Sequence, residues 1–427
     1  MPLTARHKTL FERACAHVSR DDIVKLVQAL VDVRSPTGDE GPLARVIASL
    51  LVEFDLNGLE LPLDQWQSNA MGRIAGRNGG RSLLLYSPID TVTTGDAGED
   101  VPWIGPELRD DMRASSRVSD GVVIGLGAHN PKGHAACIIA AAKALRAAHV
   151  QLDADLWLGF GAGGMPTNAR PGKRPDSGHG VGCARLIGEL PHIDYAVIAK
   201  SGWSVSWEEV GLAWYEVIVP GTHTYVGSRH LLPYLNPIRA AGQIIDRLEV
   251  WFAEWAEEHR SGLVAPQGVV SFIEAGWQRM PAFVPASCRF RVDLRLSPRT
   301  SPEEADLAFS ARLKSIADEL GVQAHWQRLI AIPGTSTPED NFIIRTAIDS
   351  WETIEGRSHE FVRGLSGATD ANILRQHGIP TARIGLPKAV LPHMDFQLGM
   401  NAAPIDAMQK LVRHLILVAI RTCTDDH

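Results

Sequence analysis

The sequence predicts an α/β domain, built on a mixed, mostly parallel sheet with helices on both faces, that is interrupted by an inserted α+β unit. Three observations carry this. Short, continuously apolar runs at residues 83–86, 156–160 and 195–198, with a weaker one at 381–384, suit strands buried on both faces. Helical patterns alternate with these runs, as in α/β folds whose sites lie in the loops at strand ends. From about Val210 the texture changes to β-α-β-β-α, an antiparallel sheet with helices on one side, and the alternation resumes after about Pro333. A chain of 427 residues has room for two cores. The expected division is residues 1–209 with 328–427, and an insertion at 210–327.

The elements follow in order. Asp21 or Asp22 can cap a helix whose apolar residues Ile23, Val24, Val27, Leu30 and Val31 recur at helical spacing, and Ser35-Pro36-Thr37-Gly38 stops it. A second helix starts from Gly41. An Ala-rich helix, rich in good helix formers, is expected from about 134 to 148. Residues 163–182, dense in Gly and Pro, read as one long loop, and loops beyond about 12–15 residues usually carry function or disorder. In the insertion, strand 214–219 leads to a long helix, about 235–258, then strands near 269–272 and 288–296. A helix at 302–320 closes it, opened by Ser301 as cap with Glu304 three residues on. No internal repeat is visible.

Composition excludes several classes. With 42 Lys and Arg against 49 Asp and Glu, the net charge is -7, and no basic stripe for nucleic acid appears. No apolar run approaches the roughly 18 residues of a membrane span, and Met1-Pro2-Leu3-Thr4-Ala5-Arg6-His7 lacks a secretory apolar core. A cytoplasmic location without membrane or nucleic-acid partners is expected. The 5 cysteines, Cys15, Cys137, Cys183, Cys288 and Cys423, are widely spaced with no pair at ligand spacing, and read as reduced thiols.

Gly125-Leu126-Gly127-Ala128-His129-Asn130-Pro131-Lys132-Gly133 nearly spells a metal-hydrolase loop. With Ser35-Pro36-Thr37-Gly38-Asp39-Glu40, Asp90-Thr91-Val92, Val284-Pro285-Ala286-Ser287 running to Asp293-Leu294-Arg295, Gly367-Ala368-Thr369-Asp370-Ala371 and Pro392-His393, it stands in the order of one family. The chain resembles the zinc aminoacylase, carboxypeptidase and desuccinylase family of peptidase clan MH, acetylornithine deacetylase-like, over nearly its whole length. That resemblance implies a catalytic α/β domain whose inserted lid makes a homodimer, and two zinc ions.

Carried over residue by residue, most of the metal site fails. The first histidine ligand falls on Pro88, with Asp90 intact two residues on, and the bridging aspartate falls on Asn130. The adjacent glutamate pair, general base then ligand, falls on Gly163 and Gly164, and the acidic ligand after the next strand on Lys200. The lid histidine that polarises the scissile carbonyl falls on Tyr225, with His223 close enough to leave that alignment open. Only the last ligand, His393, and the supporting Asp90 remain. A zinc site needs three or four N, S or O ligands, and a lysine about 4 Å away repels a divalent ion by several kcal/mol even at an effective dielectric near 20. No dinuclear zinc is expected; either no metal or one labile divalent ion, held through His393 and other histidines, remains open.

Each surviving residue has an ordinary alternative. Lys200 reads either as a rim lysine or as a charge replacing the metal inside the old pocket. His129, His134, His223 and His393 read as structural or as a remodelled site. Tyr225 either packs at a dimer interface or donates to an oxyanion. Arg295, whose family counterpart forks onto a substrate carboxylate, and Asn236, opening the lid helix, are the substrate-binding candidates, with His223. Trp203, Trp207 and Trp214 are core by default. Three readings compete: a hydrolase-like enzyme acting on a C–N bond of a small carboxylate with Lys200, Tyr225, Asp90, His129 and Asn130 as machinery; metal-free acyl transfer, amide formation or lyase chemistry; and a non-catalytic ligand-binding homologue.

Overall fold

The computed structural model describes residues 3–77, 79–168, 170 and 172–424. Residues 169 and 171 of the expected long loop, and Met1 and Pro2, lie outside them. The chain divides into two compact units, one of residues 1–207, 337–361 and 369–427, the other of residues 208–336 and 362–368.

The first unit is built on a six-stranded mixed sheet in the order Leu59–Pro62, Ser68–Ile74, Leu156–Gly161, Leu83–Pro88, Tyr195–Ala199, Thr381–Ile384. The last four strands are mutually parallel and the first two run antiparallel at one edge. All six residues of Leu83–Pro88 are buried, which is why that stretch reads as an apolar run instead of an alternating one. One face packs Leu84 and Tyr86 against Cys183 and Leu186 of helix Val181–Glu189 and Leu374 of helix Ala371–Gln376. The Ala-rich helix Lys132–Ala147 packs against Leu83–Pro88 and against the C-terminal helix Ile405–Cys423.

Several boundaries differ from expectation for local reasons. The early helix is Arg20–Val31, and its cap is Ser19, whose hydroxyl accepts from the Asp22 amide; Asp21 and Asp22 sit in the first turn, where their charge suits the helix dipole. A preceding helix, Ala5–Cys15, capped by Thr4, has no counterpart in the expectation. The Gly/Pro-rich stretch gives way to helix from Val181. Lys132 is fully buried at the start of its helix, and its ammonium donates to the carbonyls of Val33 (2.7 Å) and Val31 (3.4 Å) at the end of Arg20–Val31. Burial pulls its pKa down to about 7.

The second unit is a four-stranded antiparallel sheet in the order Gly268–Ala275, Ser287–Leu296, Gly211–Pro220, His325–Ile332. Alternate residues face one core: Ala213, Tyr215, Val217 and Val219 from one strand, Cys288, Phe290, Val292, Leu294 and Leu296 from its neighbour. Helices Pro237–Glu258 and Pro302–Leu320 cover that face, with the Tyr215 ring stacked on Phe309 at 4.2 Å and its hydroxyl donating to Asp306 at 3.0 Å. The fourth strand, His325–Ile332, is not among the expected ones: its apolar run is confined to its second half, 329–332, and this edge strand buries none of its residues. All 5 cysteines are free; four are buried and Cys15 is half-buried. No helix among the described residues is long and apolar enough to cross a membrane.

The capping box at Ser301 is complete, with the hydroxyl accepting from the Glu304 amide and the Glu304 carboxylate accepting from the Ser301 amide. Ser301→Ala should destabilise the second unit by about 1 kcal/mol, read as a lower urea midpoint at unchanged slope.

Candidate active site

The site is built where the parallel strands of the first unit end. The Ile89 amide bonds the Gly161 carbonyl (3.0 Å), which holds together the segments that follow Leu83–Pro88 and Leu156–Gly161. Asp90, with no solvent exposure, lies just beyond the first strand. Its Oδ1 accepts from the Gly164 amide (2.9 Å), and its Oδ2 from the Met165 amide (2.9 Å) and the Thr37 hydroxyl (2.6 Å). The Gly163 amide donates to Glu40, which also accepts from the Gly38 amide and from Gln67. Three consecutive amides thus serve two buried carboxylates. At the positions where the family resemblance calls for a glutamate pair, this chain presents N–H donors.

The glycines there are not merely truncated side chains. A Cβ on residue 164 would lie 2.3 Å from the Pro88 Cβ and 2.7 Å from the Asp370 Oδ2, and one on Gly163, at φ +63°, would lie 2.1 Å from the Ser177 carbonyl oxygen. Pro88 and Asp370 fill the room a glutamate would need. Asp370 is buried and accepts from the Tyr86 hydroxyl at 2.6 Å. Tyr86 reaches it because the adjacent strand carries glycine: a Cβ on Gly161 would lie 2.0 Å from that hydroxyl.

Lys200, just past Tyr195–Ala199, is 6% exposed, with Nζ 3.7 Å from the Met165 sulfur. It is an interior lysine and not a rim one. Its charge acts on both aspartates, drawing each down. Burial outweighs it. Desolvation raises the Asp90 carboxyl against Thr37, Lys200 and the two amides, and lifts Asp370 to about 6 against Tyr86 and Lys200. Glu40 is pushed up to about 8 by burial and then by Asp90. Asp90 is fixed in place by its donors, with burial holding its carboxyl above the usual range.

His129 also differs from expectation. Its Nε2 lies 3.0 Å from the Pro387 carbonyl and 3.2 Å from that of Leu386, while the Leu386 amide donates to the His134 Nε2 at 3.0 Å. Burial lowers His129 to about 4 and His134 well below its usual value, so both rings are neutral at pH 7. Together they clamp the segment after Thr381–Ile384 to helix Lys132–Ala147. His129 is held in this clamp by the carbonyls of Leu386 and Pro387. Asn130 donates from its side-chain nitrogen to the Met400 sulfur (3.4 Å).

The structure brings Asp90 and Lys200 together in the first unit. His393 is exposed, at φ +55°. No group of three or more His, Cys, Asp or Glu side chains among the described residues is arranged to hold a metal ion. In the second unit His223 and Tyr225 both lie against Phe283, at ring distances of 5.6 and 5.3 Å, and Tyr225 is 49% exposed. The Asn236 side chain is occupied as the cap of Pro237–Glu258, accepting from the Ile238 amide. Arg295 donates to Asp293 at 2.9 Å.

No protein-family model matches the chain. It is 24% identical over 412 residues, 88% of this chain and 90% of the relative, to an N-formyl-4-amino-5-aminomethyl-2-methylpyrimidine deformylase of Halalkalibacterium halodurans. The Bacillus subtilis deformylase of that name is 27% identical over 149 residues, and that match spans 32% of its length. Among solved structures, the di-peptidase Dug1p of Saccharomyces cerevisiae aligns at TM-score 0.73 with 11% identity, covering 99% of both chains. An M20 family metallo-carboxypeptidase of Sulfolobus solfataricus aligns at 0.66 with 13% identity, covering 93% of this chain and 97% of its own. The chain has the M20 fold. The M20 likeness extends across both units, and the α/β architecture with an insertion follows from it.

Tyr86 and Asp370 were not singled out as site residues. Tyr86 sits in an apolar run and reads as core, and its partner lies 284 positions away. The only local signal was the row of glycines at 159, 161, 163 and 164 in the facing strand and loop.

Two outcomes are expected. Gly161→Ala should destabilise the protein by about 1–3 kcal/mol through overpacking. Because the clash is with the phenol, adding Tyr86→Phe should return part of that loss, a coupling that a double-mutant cycle by thermal melting measures. The second outcome concerns pH. Glu40 and Asp370 have folded pKa values, about 8 and about 6, above those of unfolded carboxyls, so the native state holds protons that the unfolded chain releases. Their stabilisation is full below about pH 4 and is lost as pH rises through 6 and 8. Glu40→Gln should therefore flatten the fall in melting temperature between those limits.

Proposed function

We propose that the chain is an enzyme acting on a C–N bond, amide or amine, of a small carboxylate-bearing substrate, with Lys200 and Asp370 in place of the dinuclear zinc of the M20 fold. The names of its relatives support the C–N bond: a deformylase and a dipeptidase. The observation that carries the reading is the buried charge cluster of Lys200, Asp90 and Asp370 at the ends of parallel strands. Interior charges cost several kcal/mol each, and groups with shifted pKa values concentrate at working sites. Zinc does not fit the residues present. Pro88 offers no ligand atom, the space for a carboxylate at residue 164 is taken by Pro88 and Asp370, and Lys200 brings a like charge. No step is routed through a metal.

The chemistry then rests on this chain's own groups. In amide hydrolysis, negative charge develops on the carbonyl oxygen, which the Lys200 ammonium stabilises. Asp370, poised near 6, takes a proton from the attacking water and returns it to the departing nitrogen. Asp90, fixed by three donors, interacts electrostatically with Lys200. A second reading, a ligand-binding homologue without turnover, draws on the saturation of Asp90 and the clamping of His129. The free thiols suit the reducing cytoplasm.

The test is turnover of N-formyl amines, N-acyl amino acids and dipeptides by the purified protein. Lys200→Met should abolish turnover with the circular dichroism spectrum unchanged. Stoichiometric binding of such compounds with no product at any pH would favour the ligand-binding reading.

We also propose a homodimer formed through the second unit. Its edge strand Gly268–Ala275 exposes Val269, Phe272 and Ile273 at 47%, 40% and 52%, an unprotected edge of the kind that pairs with a copy of itself. Sedimentation at micromolar concentration should show a dimer, and Ile273→Lys a monomer; a monomeric wild type would overturn this.

A further inference from the structure

Tyr86 is fully buried in the middle of an apolar strand, yet its hydroxyl is committed to a carboxylate. Both partners lose water, a cost that packing alone would avoid with phenylalanine. The neighbouring strand is shaped for it. Gly159 lies opposite Tyr86 in the parallel register and Gly161 opposite Pro88, and added Cβ atoms would come within 3.2 Å of the Tyr86 ring and 2.0 Å of its hydroxyl. Two side chains are given up in a buried strand so that one phenol reaches Asp370.

We propose that Tyr86 is a positioning residue of this site, its phenol fixing the Asp370 carboxylate in orientation and in its ionised form under the charge of Lys200. The inference rests on the enzyme reading above but concerns a property that can be measured without turnover. The groups facing Asp370 are Tyr86 from Leu83–Pro88, Lys200 past Tyr195–Ala199, Asp90 past Leu83–Pro88, and Cys183 of Val181–Glu189, whose sulfur lies 4.0 Å from the Asp370 carbonyl. Tyr86 and Lys200 favour the ionised carboxylate, while burial and Asp90 oppose it. Removing the phenol hydroxyl leaves Lys200 alone against the other two, so Asp370 should hold its proton to higher pH.

Infrared difference spectroscopy of the full chain tests this, with the protonated-carboxyl band of Asp370 assigned by its loss in Asp370→Asn. In Tyr86→Phe the midpoint of that band should rise by roughly one pH unit, the size of a single hydrogen-bond effect on a carboxyl. Should Tyr86→Phe fold poorly, uniform replacement of tyrosine by 3-fluorotyrosine, a stronger donor of similar size, should lower the midpoint, because Tyr86 is the tyrosine bonded to Asp370. Where turnover is measured, the acid limb of kcat against pH should move with the band. A midpoint unmoved by either change would overturn the proposal and leave Tyr86 as core packing. Absence of turnover with a shifted midpoint would instead count against the enzyme reading alone.

Discussion

A carboxylate that sees no solvent must be met by donors, and Asp90 is met from three places: the hydroxyl of Thr37 and the amides of Gly164 and Met165. That demand fixes the path of the chain after Leu156–Gly161 and brings Met165 against Lys200. The turn that follows cannot carry side chains at 163 and 164 without striking Ser177, Pro88 or Asp370. A glutamate at position 164 would meet Pro88 and Asp370, which occupy its space.

Charge bookkeeping explains the rest of the cluster. Glu40, Asp90 and Asp370 are all buried, with Lys200 the cation that acts on both aspartates. Burial raises the pKa values of Glu40 and Asp370, and the neighbouring Asp90 charge adds to it. The site thus holds a proton that can be exchanged near neutral pH.

Much of the fold was legible, because buried parallel strands announce themselves as apolar runs and the capping box at Ser301 is local in sequence. His325–Ile332 was missed because its apolar run covers only its second half, 329–332, and this edge strand buries none of its residues. At the site, Lys200 was legible from its position after an apolar strand. The fates of His129 and Asn236 were not, because clamping two carbonyls or capping a helix depends on what the backbone brings near. The bond between Tyr86 and Asp370 joins two strongly separated segments, and nothing in either segment names the other.

The central claim is that side-chain charge occupies the room and the role of metal in this M20 fold. Calorimetric titration of zinc into chelator-treated protein tests it most directly, beside the same titration of Lys200→Met. The account predicts no pair of tightly held ions per chain in either protein, since removing the lysine leaves Pro88 and Asp370 filling the space at Gly164. Two zinc ions bound per wild-type chain at micromolar or lower free zinc would contradict it.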